Sequence, residues 1–271
     1  MRNRSFSINR RQFGLRMTTL GAAMATGLYS LDAAGQTLDA LTLITEDYPP
    51  FNFEKNGRRQ GIAVDVLMEM LDLSGSKKSR EDIRIWPWAR GYETALKEKD
   101  IVLFSTTRTE PRENLFKWVG PILPSRIVLV AKKKNGIQLA SVEELGRSGY
   151  RIGVVREDVG EKLLDKVDRV RDKVVLLNSG ISVAKMLQAD RVDMWAYDIQ
   201  VAMWNLKELG YDPAEYEEVL TLAETHSYYF ALSKKTDDKV VSMLQSALDQ
   251  IKSKGRFNEI VARYRRSKAE R

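Results

Sequence analysis

The stretch FSTTRTEPRENLFKWVGP, residues 104–121, contains a pattern of side chains that could bind an anion. Three hydroxyl side chains, those of Ser105, Thr106 and Thr107, are followed by Arg112. A planar guanidinium can donate two parallel hydrogen bonds to a carboxylate, and hydroxyl groups add further donors. One interpretation is therefore a carboxylate-binding site. The other is a strand end, a polar turn and an ordinary surface arginine.

The segments around this stretch alternate between short apolar runs and amphipathic helices. Strands are predicted at residues 40–45, 82–86 and 100–105, and helices at residues 61–75 and 90–98. This alternation of strand and helix is typical of a parallel α/β sheet.

A long strand predicted at residues 125–134 begins a second α/β unit of similar size. Ser141 and Glu144 have the spacing of a capping box at the start of a helix. Further strands are predicted at residues 150–155, 173–177, 192–197 and 227–233, and further helices at residues 160–167, 181–189, 199–210, 237–253 and 257–266.

Two α/β units without a flexible linker indicate a two-lobed protein with a cleft between the lobes. Ligands of open α/β sheets bind at the carboxyl ends of the strands. Residues 105–112 and the pair Tyr197-Asp198 both lie at such ends, one set in each unit. This placement favours the carboxylate-binding interpretation.

The composition excludes several classes of function. The 271 residues contain no cysteine and a single histidine, His226, so disulfides, thiolate chemistry and histidine-rich zinc sites are not expected. The formal net charge is +7, and five arginines against one aspartate in residues 1–35 contribute +4 of it. The remaining +3 is dispersed among many acids, which is not the charge pattern of a nucleic-acid-binding protein.

The N-terminus predicts export. The basic segment MRNRSFSINRRQFGLR precedes MTTLGAAMATGLYSL, which is uncharged and too short to span a bilayer. We interpret residues 1–35 as a signal peptide. The pair Arg10-Arg11 fits a twin-arginine signal, and an ordinary secretory signal fits equally well. The mature protein is expected to be periplasmic, soluble and monomeric.

A series of motifs extends over residues 41–264. The motifs are DYPPFNF with GIAVDVLMEML, FSTTRTEPRENLFKWVGPI, YRIGVVREDVGEKLL, ADRVDMWAYDIQ, YYFALSK and GRFNEIVARY. In order and spacing they resemble the extracytoplasmic solute-binding proteins of family 3, the polar amino acid receptors of ABC transporters.

This resemblance implies a flytrap fold, the periplasmic-binding-protein fold, whose two lobes close around a ligand. Each lobe would be a mostly parallel sheet flanked by helices, and two hinge strands at residues 125–129 and 228–231 would join them. Lobe 1 would comprise residues 37–126 and 231–271, and lobe 2 residues 127–230.

The resemblance also implies roles for individual residues. Arg112 matches the arginine that binds the α-carboxylate of the ligand, with Ser105 and Thr107 beside it. Asp198 matches the aspartate that accepts hydrogen bonds from the α-ammonium, although a helix N-cap role fits it too. Tyr48 matches an aromatic residue that stacks on the ligand, with core packing as the alternative.

Four further candidates lie near the predicted cleft. Trp88 and Arg90 follow a strand end that faces it. Glu157 and Asp158 stand where the family commonly has small hydroxyl residues that help to bind the carboxylate at a helix start. Acids at that position are one way to cap a helix. If they face the cleft, they favour a ligand with a cationic or polyamine-like group.

Three functions are compatible with these features. The leading one is non-enzymatic capture of a small polar solute, such as an amino acid, for an ABC transporter permease, with closure of the cleft as the mechanism. A second is an enzyme on the same scaffold, similar to cyclohexadienyl dehydratases, that uses a carboxylic acid of the cleft. A third is a ligand-sensing module for a separate receptor. None of the three needs a cofactor or metal.

Overall fold

The computed structural model describes residues 37–266, so the predicted signal peptide at residues 1–35 lies outside the described residues. The strands are, in chain order, β1 (Thr42–Thr45), β2 (Phe53–Lys55), β3 (Arg58–Gln60), β4 (Ile83–Ile85), β5 (Ile101–Thr107), β6 (Phe116–Val119), β7 (Pro124–Lys132), β8 (Ile152–Val155), β9 (Val174–Leu177), β10 (Met194–Asp198) and β11 (Tyr216–Ser233). The main helices are α1 (Ile62–Leu73), α2 (Trp88–Lys97), α3 (Val142–Arg147), α4 (Val159–Leu164), α5 (Gly180–Gln188), α6 (Ile199–Glu208), α7 (Asp238–Ser253) and α8 (Arg256–Arg266).

The strands form two lobes that share the long strand β11. The strand order is β4-β1-β5-β11-β7-β10-β8-β9, and β6 also pairs with β11. In lobe 1, which contains β1, β4 and β5, these three strands run parallel. In lobe 2, which contains β8, β9 and β10, these three strands also run parallel. The predicted α/β class, with a mostly parallel sheet in each lobe, is confirmed.

Two antiparallel strands, β7 and β11, connect the lobes. From Tyr216 to Ser227 strand β11 pairs with β7, and from Tyr228 onwards it pairs with β5 of lobe 1. This change of partner lies at the start of the predicted hinge segment 228–231. The lobe limits at residues 126 and 230 stay a prediction.

The central parallel strands β5 and β10 are buried, whereas the edge strands β4 and β9 are partly exposed. All seven residues of β5 are buried, and so are all five of β10. Along β10, Trp195 and Tyr197 pack into one hydrophobic cluster, whereas Met194 and Ala196 pack into another. In the sequence, strands that are buried on both faces are continuous apolar runs, and this pattern predicted where they lie.

Strand β11 is eleven residues longer at its N-terminal end than the predicted strand 227–233, and the hairpin β2–β3 was not predicted. The added part of β11 contains Glu217, Glu218 and Glu224 and several register shifts, which hide the regular alternation of a strand. The turn of this hairpin is formed by Asn56 and Gly57, which both have a positive φ. An Asn-Gly pair is a strong sequence signal for a hairpin turn, but the hairpin was not among the predicted elements.

The predicted capping box at α3 is wrong. Ser141 is the N-cap residue, but its side chain accepts no hydrogen bond from the helix. The Glu144 carboxylate accepts from the backbone N–H of Ala140, at 2.9 Å, instead of that of Ser141. The glutamate thus reaches back one residue further than the box requires.

A buried carboxylate connects helices α1 and α8. Asp65, which is 8% exposed, accepts a hydrogen bond from the Tyr264 hydroxyl at 2.9 Å. Its carboxylate oxygens also lie 2.8 Å from Arg80 and 3.2 Å from Arg263. The same Tyr264 oxygen accepts from the backbone N–H of Gly61, at 2.9 Å.

We expect Asp65→Asn to lower the free energy of unfolding by about 2 kcal/mol, because two arginines lose their counter-ion and a buried hydrogen-bond network is broken. Urea denaturation measures this loss. Glu69→Gln is the matched control, since Glu69 also joins α1 to α8 through Arg256 at 3.1 Å, but in a more exposed pair. The control should cost less than about 1 kcal/mol. Equal losses in both variants would contradict the prediction.

Candidate ligand-binding site

Charged and polar groups meet between the lobes, at the carboxyl ends of the central parallel strands. Glu46 directly follows β1, and the end of β5 carries Ser105 and Thr107. From lobe 2, Asp158 comes three residues after β8, and Asp198 is the last residue of β10. This is the edge at which open α/β sheets bind their ligands.

Arg112 lies at the centre of this site and is only 4% exposed. Its guanidinium donates to the Thr107 carbonyl at 3.3 Å and to the Glu157 carbonyl of lobe 2 at 2.9 Å. The rings of Trp88 and Tyr92 lie 5.5 and 5.0 Å from its central carbon, measured to their centroids. Within residues 37–266 no carboxylate forms an ion pair with it. A guanidinium has five N–H donors, so donors remain for an anion.

The backbone of Glu157 forms the contact from lobe 2. Its carbonyl accepts from both Arg112 and the Trp88 indole N–H, the latter at 2.8 Å. Glu157 has a φ of 62°, a left-handed conformation that is uncommon outside glycine. Its carboxylate lies 2.9 Å from the ammonium of Lys162 and is partly exposed. The side chain that the sequence placed in the cleft is therefore engaged by a neighbour on lobe 2.

Asp158, in contrast, is buried in the site, with 5% of its surface exposed. Its Oδ2 atom has no hydrogen-bond partner among the described residues. Burial raises the pKa of this carboxyl to about 6, against the opposing effects of the Arg112 charge and the backbone N–H groups of Val159 and Gly160. The two acids of the predicted pair thus have different environments.

Glu46 is a further candidate residue of this site, and the sequence analysis did not predict it. It is 7% exposed, and its carboxyl makes no hydrogen bond or ion pair with the described residues. Burial raises its pKa well above the usual range, the charges of Asp158 and Asp47 raise it further, and Arg112 lowers it. Its position immediately after a parallel strand is the signal that could have identified it.

Asp198 is the N-cap of α6, the alternative role that the sequence left open. Its Oδ1 atom accepts from the backbone N–H groups of Gln200 at 2.9 Å and Val201 at 3.2 Å. Its Oδ2 atom accepts from the Arg126 backbone N–H at 3.1 Å and the Tyr228 hydroxyl at 2.8 Å. These four bonds occupy both carboxylate oxygens. An ammonium group would therefore have to share them with the chain.

Tyr48 belongs to a cluster of tyrosines between the lobes. Its hydroxyl lies 2.9 Å from that of Tyr228, which in turn donates to Asp198. Its ring meets the Tyr197 ring edge-on, with 5.2 Å between the centroids. At 2% exposure Tyr48 is packed on several sides.

The predicted hydroxyl residues support the loop that carries Glu46. The Ser105 hydroxyl donates to the Asn52 side-chain oxygen, and the Asn52 amide nitrogen donates to the Glu46 carbonyl at 2.7 Å. Thr107 contributes its carbonyl to Arg112. These residues therefore position the site, and a direct contact of their hydroxyls with a ligand stays a prediction.

Trp88 and Arg90, the two candidates in helix α2, lie in different environments. Trp88 is buried beside Arg112, as described above. Arg90 is exposed, and its guanidinium lies 3.9 Å from the centroid of the Trp86 ring. No hydrogen bond or ion pair joins the Arg90 side chain to the described residues of the site.

Two further structural facts bear on the class of protein. Among the described residues no group of three or more histidine, cysteine, aspartate or glutamate side chains is arranged to hold a metal ion. None of the helices in residues 37–266 is long and apolar enough to cross a membrane.

Two α/β lobes joined by paired strands, with polar groups of both lobes facing each other, define the class of two-lobed solute-binding proteins. The sequence model of the bacterial extracellular solute-binding proteins, family 3, matches residues 41–267. This chain belongs to that family, and the predicted resemblance is confirmed.

Individual relatives agree with this assignment. A probable histidine-binding protein of Neisseria gonorrhoeae is 25% identical over 223 residues, which cover 80% of each chain. The crystal structure of a histidine kinase sensor domain with similarity to periplasmic binding proteins has a TM-score of 0.72 at 17% identity, covering 83% of this chain and 96% of that one. An ancestral arginine-binding protein bound to arginine has a TM-score of 0.71 at 23% identity, covering 83% and 97%. The structural matches show the predicted periplasmic-binding-protein fold.

Proposed function

We propose that this chain binds a free amino acid between its lobes, without transforming it, and presents the closed complex to an ABC transporter permease. The observation that carries the proposal is the buried Arg112 guanidinium, which lacks a carboxylate partner among residues 37–266. A buried charge without a counter-ion is costly, and an anionic ligand would supply the missing charge. The α-carboxylate of an amino acid matches the two parallel donors of a guanidinium.

Closure of the lobes would provide the mechanism. Trp88 and Arg112 from lobe 1 both donate to the Glu157 carbonyl of lobe 2. Further out, Lys55 of lobe 1 lies 3.1 Å from Glu208 of lobe 2. Contacts of this kind exist only when the lobes are together, so a ligand that adds contacts to both lobes shifts the population towards the closed form. A permease that recognises the closed form would then receive loaded protein.

The relatives and the predicted export signal support this proposal. The N. gonorrhoeae relative is described as histidine-binding, and the ancestral relative binds arginine. A periplasmic location would follow from the predicted signal peptide at residues 1–35, and a monomer would suffice, because both halves of the site lie on one chain.

A thermal-shift screen of the mature chain against the twenty common amino acids, polyamines and organic acids tests the proposal. A ligand present at 100 times its Kd should add about 2.7 kcal/mol to the free energy of unfolding and raise the melting temperature visibly. The stabilisation should disappear in Arg112→Ala. If none of the amino acids raises the melting temperature, the proposal is wrong. Co-purification with a permease, rather than with a sensor kinase, would separate transport from sensing.

The buried carboxyls favour a second candidate, acid catalysis of an elimination. A carboxyl with a pKa of about 6, as in Asp158, could protonate the ring hydroxyl of prephenate. Water and carbon dioxide would leave, and the electron pair of the broken carbon–carbon bond would complete the aromatic ring of phenylpyruvate. Incubation with prephenate, followed by detection of phenylpyruvate, tests this candidate. Product formation that is lost in Asp158→Asn would favour it, and no turnover would reject it.

A further inference from the structure

We propose that the hairpin β2–β3 of lobe 1 and helix α6 of lobe 2 form a latch that favours the closed form. The latch would set the affinity for ligands from outside the binding site. This inference rests on the proposed amino-acid-binding function and adds residues that control it. One pair of aromatic rings and one ion pair carry the inference.

The spacing of the contact residues on the two elements matches. Phe53 and Lys55 lie two positions apart on β2, so their side chains share one face of the strand. Trp204 and Glu208 lie four positions apart on α6, so they share one face of the helix. Two residues span about 6.7 Å along a strand, and four span about 6 Å along a helix. Each residue of the hairpin can therefore meet one residue of the helix.

Both meetings occur in the structure. The ring centroids of Phe53 and Trp204 are 5.8 Å apart, with an angle of 49° between the rings. This distance is within the range of favourable aromatic pairs. Phe53 is only 7% exposed although it belongs to a hairpin. Two positions further on, the Lys55 ammonium lies 3.1 Å from the Glu208 carboxylate. The two elements thus hold the lobes together at two points.

Each of the two elements is anchored in its own lobe. Arg80 donates to the Arg59 carbonyl of β3 at 3.1 Å, and Arg59 donates to the Glu81 carbonyl at 3.2 Å. These bonds attach the hairpin to lobe 1. Helix α6 begins in the binding site, where Asp198 caps its N-terminus. Separation of the lobes would therefore have to break the contacts between the hairpin and the helix.

A cavity separates the lobes beside the latch. It has a volume of about 340 Å³, and it extends from Trp204 to Pro124 at the start of β7. Its walls also include Pro50 and Ile62 of lobe 1 and Gln200 of lobe 2. A space of this size has room for roughly ten water molecules. Because the lobes do not pack against each other across this space, the latch supplies contact that the cavity walls do not.

The latch should affect all ligands equally. A protein that binds its ligand in the closed form has an apparent affinity that falls with the fraction of closed molecules. The latch acts on this fraction and makes no contact with the ligand. Its loss should therefore weaken the binding of every ligand by the same factor. A substitution in the binding site would instead change the preference among ligands.

Calorimetric titration with L-arginine, L-histidine and L-glutamine tests the ion pair. Lys55→Glu places two carboxylates opposite each other and should weaken each ligand that binds by about threefold. The effect should shrink at about 1 M salt, because the charges are exposed and screened. Combining Lys55→Glu with Glu208→Lys should restore the affinity. Lys97→Glu is the matched control and should have no effect, because Lys97 pairs with Glu93 within α2.

The aromatic pair is tested in the same titrations. Phe53→Leu and Trp204→Leu should each weaken binding about two- to tenfold, the range expected for loss of an aromatic pair. The double variant should bind little more weakly than either single variant, because both substitutions remove the same contact. Fully additive losses would show that the two rings do not act as a pair.

Label distances test the latch without a ligand. The chain contains no cysteine, so cysteines introduced at the exposed positions Glu98 in lobe 1 and Asp172 in lobe 2 can carry two spin labels. Pulsed electron paramagnetic resonance then measures the distance between the lobes. The closed population should fall in Lys55→Glu and recover when Glu208→Lys is added.

The outcomes separate this inference from the proposed function. If Lys55→Glu changes neither the affinity nor the closed population, or if the exchanged pair restores neither, the inference is wrong while amino acid binding stands. A loss confined to one of several bound ligands would also overturn it. If no amino acid binds, the proposed function fails and the label distances alone decide on the latch. If the unchanged protein then shows no closed population, both fail.

Discussion

Arg112→Ala is expected to weaken binding of the amino acid ligand by at least about 100-fold. The substitution removes two charge-assisted hydrogen bonds to the α-carboxylate, each of which contributes about 1.5–3 kcal/mol. A loss of 1.4 kcal/mol is tenfold in affinity, so the two bonds together account for the expected factor. It also removes the Arg112 contact to the Glu157 carbonyl, at 2.9 Å, that helps to hold the lobes together.

Arg112→Lys refines this prediction. Lysine keeps the charge but replaces the planar pair of donors with a single ammonium. Arg112→Lys should therefore lose less affinity for the ligand than Arg112→Ala. Arg84→Ala is the control, because Arg84 is an exposed arginine of the same lobe that lies over Trp86. Isothermal titration calorimetry measures all three variants. If Arg112→Ala binds as well as the unchanged protein, Arg112 does not hold the carboxylate.

Asp158→Asn is expected to raise the free energy of unfolding of the ligand-free protein by about 3 kcal/mol at pH 8. The pKa of Asp158 is about 6 in the folded protein, against an ordinary value of 3.8. A carboxyl with a raised pKa binds more protons in the folded state than in the unfolded state. Its contribution to the free energy of unfolding is therefore most favourable below pH 4 and is lost as the pH rises through 6. Each unit of pKa corresponds to 1.36 kcal/mol, which leads to the figure of about 3 kcal/mol.

Asparagine removes this loss because it cannot ionise, and it has nearly the same shape as aspartate. The difference in stability between variant and unchanged protein should therefore be near zero at pH 4 and greatest at pH 8. Urea denaturation at both pH values measures it, with Asp165→Asn, at the opposite end of α4, as an exposed control. A difference that stays constant with pH would show that Asp158 is not held in a destabilised ionised state.

The two predictions together describe a site whose charges are arranged for a ligand rather than for stability. Arg112, Glu46 and Asp158 are all buried, and the Arg112 charge lowers the pKa of both acids, but no ion pair joins Arg112 to a carboxylate among the described residues. An amino acid ligand would offset part of this cost, because its α-carboxylate would pair with Arg112. A variant that is more stable and binds less tightly is the expected sign of such a site.

Local pattern was sufficient to predict most of the fold. Strand β5 and helix α1 could be located because buried parallel strands are uniformly apolar and amphipathic helices repeat with a period of 3.6 residues. The family motifs then predicted the two-lobed arrangement. Where polar residues and register shifts interrupt the pattern, as in the first part of β11, the same rule missed the strand.

The residue types near the strand ends can be identified from the chain alone, and they were enough to select Arg112 and Asp158. The positions of their atoms depend on the folded structure. The left-handed backbone at Glu157 directs its carbonyl to Arg112, while its carboxylate meets Lys162. Glu46 is buried, and the charge of Asp158 in lobe 2 raises its pKa. The Arg112–Glu157 hydrogen bond and this charge effect both join residues more than 40 positions apart, which the residue spacing along the chain does not contain.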